Sequence, residues 1–208
     1  MKTYLSACLC CLFLFSFTLV FSQTEKAYTK ALKQHRKQYK RAFLLNEQSP
    51  LDRKGVKSLQ FFSPDSALKI NCTFEQSVDA KPFKMTTYDG QSQNYIKYGT
   101  VFFELDGRRY QLALYRNLMG LRMPQQRNKL FLPFKDLTNG ESTYTGGRYI
   151  DLLISDIQEG QLEIDFNKAY NPYCAYASGW VCPIPPKENH LEVAIEAGEK
   201  MMKASGKK

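Results

Sequence analysis

Residues 95–115, YIKYGTVFFELDGRRYQLALY, decide the fold. Two runs rich in aromatic and β-branched residues flank Asp106-Gly107. An Asp-Gly pair tolerates positive φ at both centres of a two-residue turn, and that turn matches the twist of the flanking strands. The stretch therefore predicts a β-hairpin with arms Tyr95–Leu105 and Arg108–Tyr115. Side chains alternate along a strand, so Tyr110, Leu112, Leu114 and the adjoining Arg116 share one face.

The same alternation extends outward. Leu68-Lys69-Ile70-Asn71-Cys72-Thr73-Phe74 reads as a half-buried strand. Phe83 to Tyr88 is a short strand that stops at Asp89-Gly90. Leu130-Phe131-Leu132 is a short buried strand closed by Pro133. Tyr149–Ile154 and Gln161–Phe166 read as a second hairpin around Glu159-Gly160. Leu191, Val193 and Ile195 alternate again and predict a last strand before Gly198. Hairpin connections and close spacing favour antiparallel pairing. The expected fold is mainly β: a single antiparallel β-sandwich or partly closed barrel, with an N-terminal helix and a long ordered C-terminal loop. The chain shows no internal repeat, no low-complexity run and no linker that would divide it.

Before the strands, residues 24–45 predict a helix. Tyr28, Leu32, His35, Tyr39 and Phe43 recur at spacings of three and four and form one apolar stripe. His35 on that stripe reads as a packed residue at the edge of the core. Asn46 to Pro50 ends the helix, and Ser49-Pro50-Leu51 is placed to cap a short second one. The expected organisation is a basic amphipathic helix over 23–48 and one β-rich domain over 49–208.

Residues 1–22 read as a secretory signal peptide. Lys2 precedes an apolar run from Leu5 to Phe21, and Val20-Phe21-Ser22 offers a cleavage site ahead of Gln23. A membrane anchor competes, but the run is near the minimum of about 17 residues for a span. Leu5-Ser6-Ala7-Cys8 resembles a lipoprotein box yet sits before the apolar run. Export to the periplasm or the medium is the expectation, with no transmembrane span after cleavage. An intact Met1 on the exported chain would refute cleavage after Ser22.

The whole chain carries a net charge of +9. Lys26, Lys30, Lys33, Arg36, Lys37, Lys40 and Arg41 crowd the helix, and Lys200, Lys203, Lys207 and Lys208 the tail. Such ends are ordinarily solvated; the functional alternative is weak contact with anionic surfaces. No motif points to nucleic acid. Cleavage would leave Cys72, Cys174 and Cys182. Cys174 and Cys182 lie in one loop and are the natural disulfide in an oxidising compartment. Cys72 sits in a strand and reads as a buried thiol.

That loop, residues 166–188, reads FNKAYNPYCAYASGWVCPIPPKE. Rings and prolines are unfavourable to leave in water, so the segment must be ordered. It is either a folded-in plug or the wall of a site. Phe134 to Tyr149 fits F-x-D-x-T-x-G-x-x-T-Y-x-x-G-R-Y, and Asp165 to Tyr176 fits D-F-N-x-A-Y-N-P-x-C-A-Y. Cys182 to Asn189 fits C-P-x-P-P-x-E-N, and Ala197 to Lys200 fits A-G-E-K. With these motifs the chain resembles a bacterial and archaeal family known as domain of unknown function 1684. The resemblance covers most of the chain beyond residue 22 and implies where a site would lie, not a mechanism.

The expected site is a pocket at one end of the β domain, walled by residues 134–151 and 165–189. Its candidate ligand-binding residues are Arg148, Tyr149, Asn167, Tyr170, Asn171, Tyr173 and Tyr176, meeting a small polar or anionic molecule. Arg148 offers a planar fork to an anion, or it pairs with Asp136, Asp151 or Asp165 and pins the loops. The tyrosines and Trp180 stack on a ring or plug the sheet. The alternative is a carboxylate-dependent hydrolase of the cell envelope, with Asp136, Glu141, Asp151, Asp165 and Glu188 as candidates. Histidine-based catalysis is disfavoured because only His35 and His190 exist. The Cys174–Cys182 spacing does not match a zinc site, so no metal and no cofactor are expected.

Overall fold

The computed structural model describes residues 3–202, with side chains described from residue 23 onward. The side chains of the expected signal peptide, residues 1–22, and the tail residues Lys203, Lys207 and Lys208 lie outside the described range. Seven strands follow two helices: α1 (Thr3–Leu45), α2 (Arg53–Ser58), β1 (Lys69–Gln76), β2 (Phe83–Thr86), β3 (Ser92–Leu105), β4 (Arg108–Asn117), β5 (Lys129–Phe134), β6 (Arg148–Leu153) and β7 (Gln161–Asp165). They form one antiparallel sheet in the order β6-β5-β4-β3-β1-β7, with β2 on β3 as well. The sheet is curled into a half-barrel.

The central hairpin forms as the sequence predicts. Asp106 and Gly107 both have positive φ, 52° and 73°, and Leu105 pairs with Arg108. Glu159 and Gly160 make the same kind of turn, at 50° and 73°. The strands before and after it do not pair, however. β7 pairs with β1, while β6 pairs with β5 at the opposite edge. The expected second hairpin is thus only a turn, because the chain crosses from one edge to the other. A flat sheet would hold these edges about 24 Å apart, five strand spacings. The link 154–160 begins with a 3₁₀ turn at Ile154–Asp156, which shortens its reach, so the crossing demands the curl.

The inner face holds the main core. Val101, Phe103, Leu112, Leu114, Leu130, Leu132, Phe134, Ile150, Leu162, Ile164 and Phe166 are buried there with Cys72. Each such side chain, once fully buried, contributes roughly 1.5–3 kcal/mol. Cys72 is a free buried thiol, and burial raises its pKa to about 12. A second cluster, Met85, Tyr95, Ala113 and Tyr115, lies on the other face. β4 is therefore covered on both sides at its centre.

α1 lays its apolar stripe on the domain: Leu32 and Phe43 are buried. Phe43 joins Leu51, Val56 and Leu59 in a small third cluster. The opposite face of α1 carries exposed Lys26, Lys30, Lys33, Lys37 and Arg41. Among the described residues no helix is long and apolar enough to cross a membrane. α2 is capped by Asp52, whose side chain accepts from the Gly55 N–H at 2.7 Å, rather than by the Ser49-Pro50-Leu51 segment.

Among the described residues no further strand follows β7. The expected strand at 191–195 is an extended segment instead. Leu191 and Ile195 are buried as the alternation predicts. Its backbone meets that of residues 135–137 at two bonds, Leu191 N to Lys135 O (2.8 Å) and Leu137 N to Val193 O (3.1 Å).

One break in the sheet organises this return. β4 and β5 share a single regular pair, Tyr115 with Phe131. The next pair would be Ala113 with Pro133, but proline has no N–H to donate. The side-chain amide of Asn189 fills the gap. It accepts from Ala113 N (2.7 Å) and donates to Ala113 O (2.9 Å) and Pro133 O (2.7 Å). A carboxamide is chemically a peptide group, and here it completes the ladder that Pro133 interrupts.

Candidate functional site

A concavity of about 650 Å³ opens on the face of the sheet away from the main core. Strand alternation supplies its floor. Leu130, Leu132, Ile150 and Leu152 point into the core, so Lys129, Phe131, Tyr149 and Asp151 point the other way and line the cavity. Register sets Phe131 directly opposite Asp151. Tyr95 on β3 adds to this floor, and His35, Tyr39 and Phe43 form a wall from α1.

The loop of residues 168–183 supplies the remaining wall: Lys168, Tyr170, Pro172, Tyr173, Trp180, Val181, Cys182 and Pro183. Several contacts fix it. Tyr149 and Tyr170 exchange both backbone hydrogen bonds at 2.9 Å, which covers the free edge of β6. The Tyr149 hydroxyl donates to Pro183 O. Cys174 and Cys182 form a disulfide, as the sequence predicts. Closing so small a ring stabilises the fold by about 2–3 kcal/mol on the chain-entropy model.

Rings meet here mostly at steep angles. Phe131 and Tyr149 lie 4.7 Å apart at 71°, Tyr149 and Tyr170 5.9 Å apart at 89°, and Tyr173 and Trp180 4.7 Å apart at 84°. Edge-to-face contacts of this kind contribute about 0.5–1.5 kcal/mol each beyond area.

Asp151 is the one carboxylate among the lining residues. Its Oδ1 accepts from the Tyr170 hydroxyl at 2.9 Å. Solvent reaches the group, yet it sits deep in a concavity with protein on most sides. That surrounding pushes its pKa above the ordinary 3.8, while the Tyr170 bond and the Lys129 charge pull the other way. The Tyr170 hydroxyl stays protonated well above its ordinary 10.0, through burial first and then the neighbouring Asp151 charge. Burial and the Lys168 charge lower His35 below 6.5, so its ring is neutral at pH 7.

The residues expected to bind ligand divide into two groups. Tyr149, Tyr170 and Tyr173 line the cavity. Arg148, Asn167 and Asn171 do not, and the expectation that they meet a ligand is corrected by their burial: each is at most 1% exposed. Arg148 pairs with Asp136 at 2.7 Å, both side chains fully buried. It also donates to Ile195 O (2.9 Å) and Ala197 O. Asn167 clamps Asp65, accepting from its N–H (2.9 Å) and donating to its carbonyl (2.6 Å). Asn171 donates from its side chain to Lys200 O at 2.9 Å. Tyr176 packs on Phe43 and donates to Glu199 at 2.5 Å. The expected wall from 134–148 is likewise absent, because that segment is consumed in pinning the tail.

The candidate carboxylates also scatter. Asp136 serves Arg148. Asp165 accepts from Tyr28 at 2.9 Å and faces Lys168 at 3.6 Å. Glu188 meets Lys97 and Tyr115, each at 2.6 Å, and Glu141 is exposed. Only Asp151 reaches the cavity. Among the described residues no group of three or more His, Cys, Asp or Glu could hold a metal ion.

Glu199 is a buried acid that the sequence reading passed over. Tyr39 (2.9 Å), Tyr176 (2.5 Å) and Asn171 N (3.1 Å) all donate to it, joining α1 to the tail. Burial dominates these donors and raises its pKa above the ordinary 4.5. A raised acid holds its proton more tightly folded than unfolded. Its contribution is therefore complete below about pH 4.5 and is lost as pH rises through the folded value. Urea unfolding from pH 4 to 7 should show this decline, and Glu199→Gln should flatten it. An unchanged slope in the variant would contradict the assignment.

Lys129, Phe131, Tyr95 and His35 were missing from the expected site. Their signal is present in the alternation of β3 and β5 and in the stripe of α1, but it becomes readable only once the strand order is known.

An uncharacterised protein of Haloarcula marismortui, solved by solution NMR, is similar to this chain. It is 31% identical, the match covers 86% of this chain and 96% of that one, and the TM-score is 0.66. No curated protein matches significantly. The family model described as "protein of unknown function (DUF1684)" matches residues 54–200, a span that takes in the sheet, the Asn189 bridge and the cavity loop, and the chain belongs to that family.

Proposed function

We propose that the protein binds a small polar molecule in the cavity between α1, the β5–β6 floor and the 168–183 loop, without transforming it. The observation that carries this reading is the concavity itself. At about 650 Å³ it lies within the roughly 300–1,000 Å³ range of small-molecule sites. Its walls are apolar rings with few polar groups. The hydrolase alternative needs two carboxylates flanking one bond, and the cavity lining contains only Asp151. An anion held by Arg148 has no route to that guanidinium.

Trp180 is the single tryptophan of the chain and lines the cavity, so its fluorescence reports occupancy. Titration with small sugars, phosphates and amines should give a saturable change for at least one class. Phe131→Ala should weaken that binding about 5- to 10-fold, the equivalent of one ring contact. Saturation unaffected by Phe131→Ala would place the ligand elsewhere, and no saturation with any class would end the reading. Export through residues 1–22 and weak contact between the basic face of α1 and anionic surfaces complete the proposal.

A further inference from the structure

We infer that the cavity recognises an organic ammonium group, seated at Asp151 in a corner walled by Phe131, Tyr149 and Tyr170. This rests on the binding reading above and adds the sign of the ligand's charge.

Three observations carry it. First, Asp151 has one committed oxygen and one free. Oδ1 accepts from Tyr170. Oδ2 makes no hydrogen bond or ion pair among the described residues, and the side chain is open to the cavity. A carboxylate oxygen accepts and never donates, so its partner must bring an N–H or O–H. Second, the three rings nearest Asp151 by register and bonding are Phe131 opposite it, Tyr149 two residues before it and Tyr170 bonded to it. Successive rings stand at 71° and 89°. All three rings line the cavity beside Asp151. Ring faces attract a cation within about 6 Å of their centres. Third, the strong anion-binding group expected from sequence is absent from the cavity, because Arg148 is committed to Asp136.

Lysines also line the cavity. Lys168 faces the Asp165 carboxylate at 3.6 Å. Lys129 is exposed and pairs with Leu153, two residues along the strands from the Phe131–Asp151 pair and on the same face. It stands beside the corner and would meet a polar or anionic far end of the ligand. His35 is neutral and adds no opposing charge.

The test uses Trp180 fluorescence with ethanolamine, choline, glucose and sodium phosphate. Ethanolamine should saturate at a concentration at least tenfold lower than glucose. Choline, which has no ammonium N–H for Oδ2, should bind more weakly than ethanolamine. Asp151→Asn should weaken ethanolamine at least tenfold, with the melting temperature showing that the variant is folded. Lys129→Glu provides a second arm that leaves Asp151 in place: it should tighten ethanolamine and weaken phosphate. Ethanolamine binding indifferent to both substitutions overturns the inference. Glucose or phosphate saturating where ethanolamine does not overturns the charge assignment and leaves the cavity reading intact. If none of the four saturates, both fail.

Discussion

Replacing Arg148 by alanine should destabilise the protein by about 3–5 kcal/mol, the usual consequence of removing one partner from a buried ion pair. Whole domains are stable by only about 5–15 kcal/mol, so the variant should lie near its unfolding threshold. The loss is large because the guanidinium satisfies several groups at once. Asp136 would keep bonds from the Thr138 N–H (2.8 Å) and the Ile195 N–H (3.3 Å), but its charge would be uncompensated. The carbonyls of Ile195 and Ala197 would lose their donor. Arg148→Lys should rescue little, since an ammonium cannot reproduce the planar fork. Removing both charges together, as Arg148→Met with Asp136→Asn, should recover part of the loss. Denaturant midpoints measure all three variants. An Arg148→Ala protein within 1 kcal/mol of wild type, on the scale of an exposed pair, would show that water enters and that the pair is not structural.

Asn189→Ala should rank next, with an expected loss of roughly 3 kcal/mol or more. It strands Ala113 N–H, Ala113 C=O and Pro133 C=O, and an unsatisfied buried group costs about 1–3 kcal/mol. The substitution also unlocks the segment that follows, whose backbone joins residue 135 through Asn189 O at 3.0 Å. Asn189→Asp separates hydrogen bonding from shape. It keeps the size but presents an acceptor to two carbonyls, so it should not rescue. Hydrogen exchange at Ala113 gives the local readout: protection should fall in both variants. Retained protection, with midpoints within about 0.5 kcal/mol of wild type, would mean that the split in the sheet is filled some other way.

The sequence reading succeeded where structure follows from neighbours in the chain. Asp106-Gly107 fixes its own turn, and the α1 stripe fixes its buried side. Tyr149, Tyr170 and Tyr173 were legible as wall residues because a ring-rich loop must pack against something. It failed where partners are remote. Nothing near Glu159-Gly160 reveals that β6 and β7 diverge to opposite edges, since a tight turn looks the same whether or not its arms stay together. Arg148 was read with both of its options open. The buried one prevails through Asp136 together with two acceptors far along the chain, Ile195 O and Ala197 O. The alternation at Leu191, Val193 and Ile195 predicted burial correctly and pairing incorrectly, because Asn189 has already closed the gap a strand would fill. Asp151 is one of five candidate carboxylates in the sequence; only the β5–β6 register gives it a cavity.

The meeting of Glu199 with Tyr39, and of Arg148 with Ile195 and Ala197, sets an order of events. A chain made from its N-terminus displays α1 before the acid that receives Tyr39 exists, and it completes β6 while two acceptors of Arg148 are still to be synthesised. The native state must therefore wait for residues 195–199. Until they arrive the polypeptide lacks its final clasp.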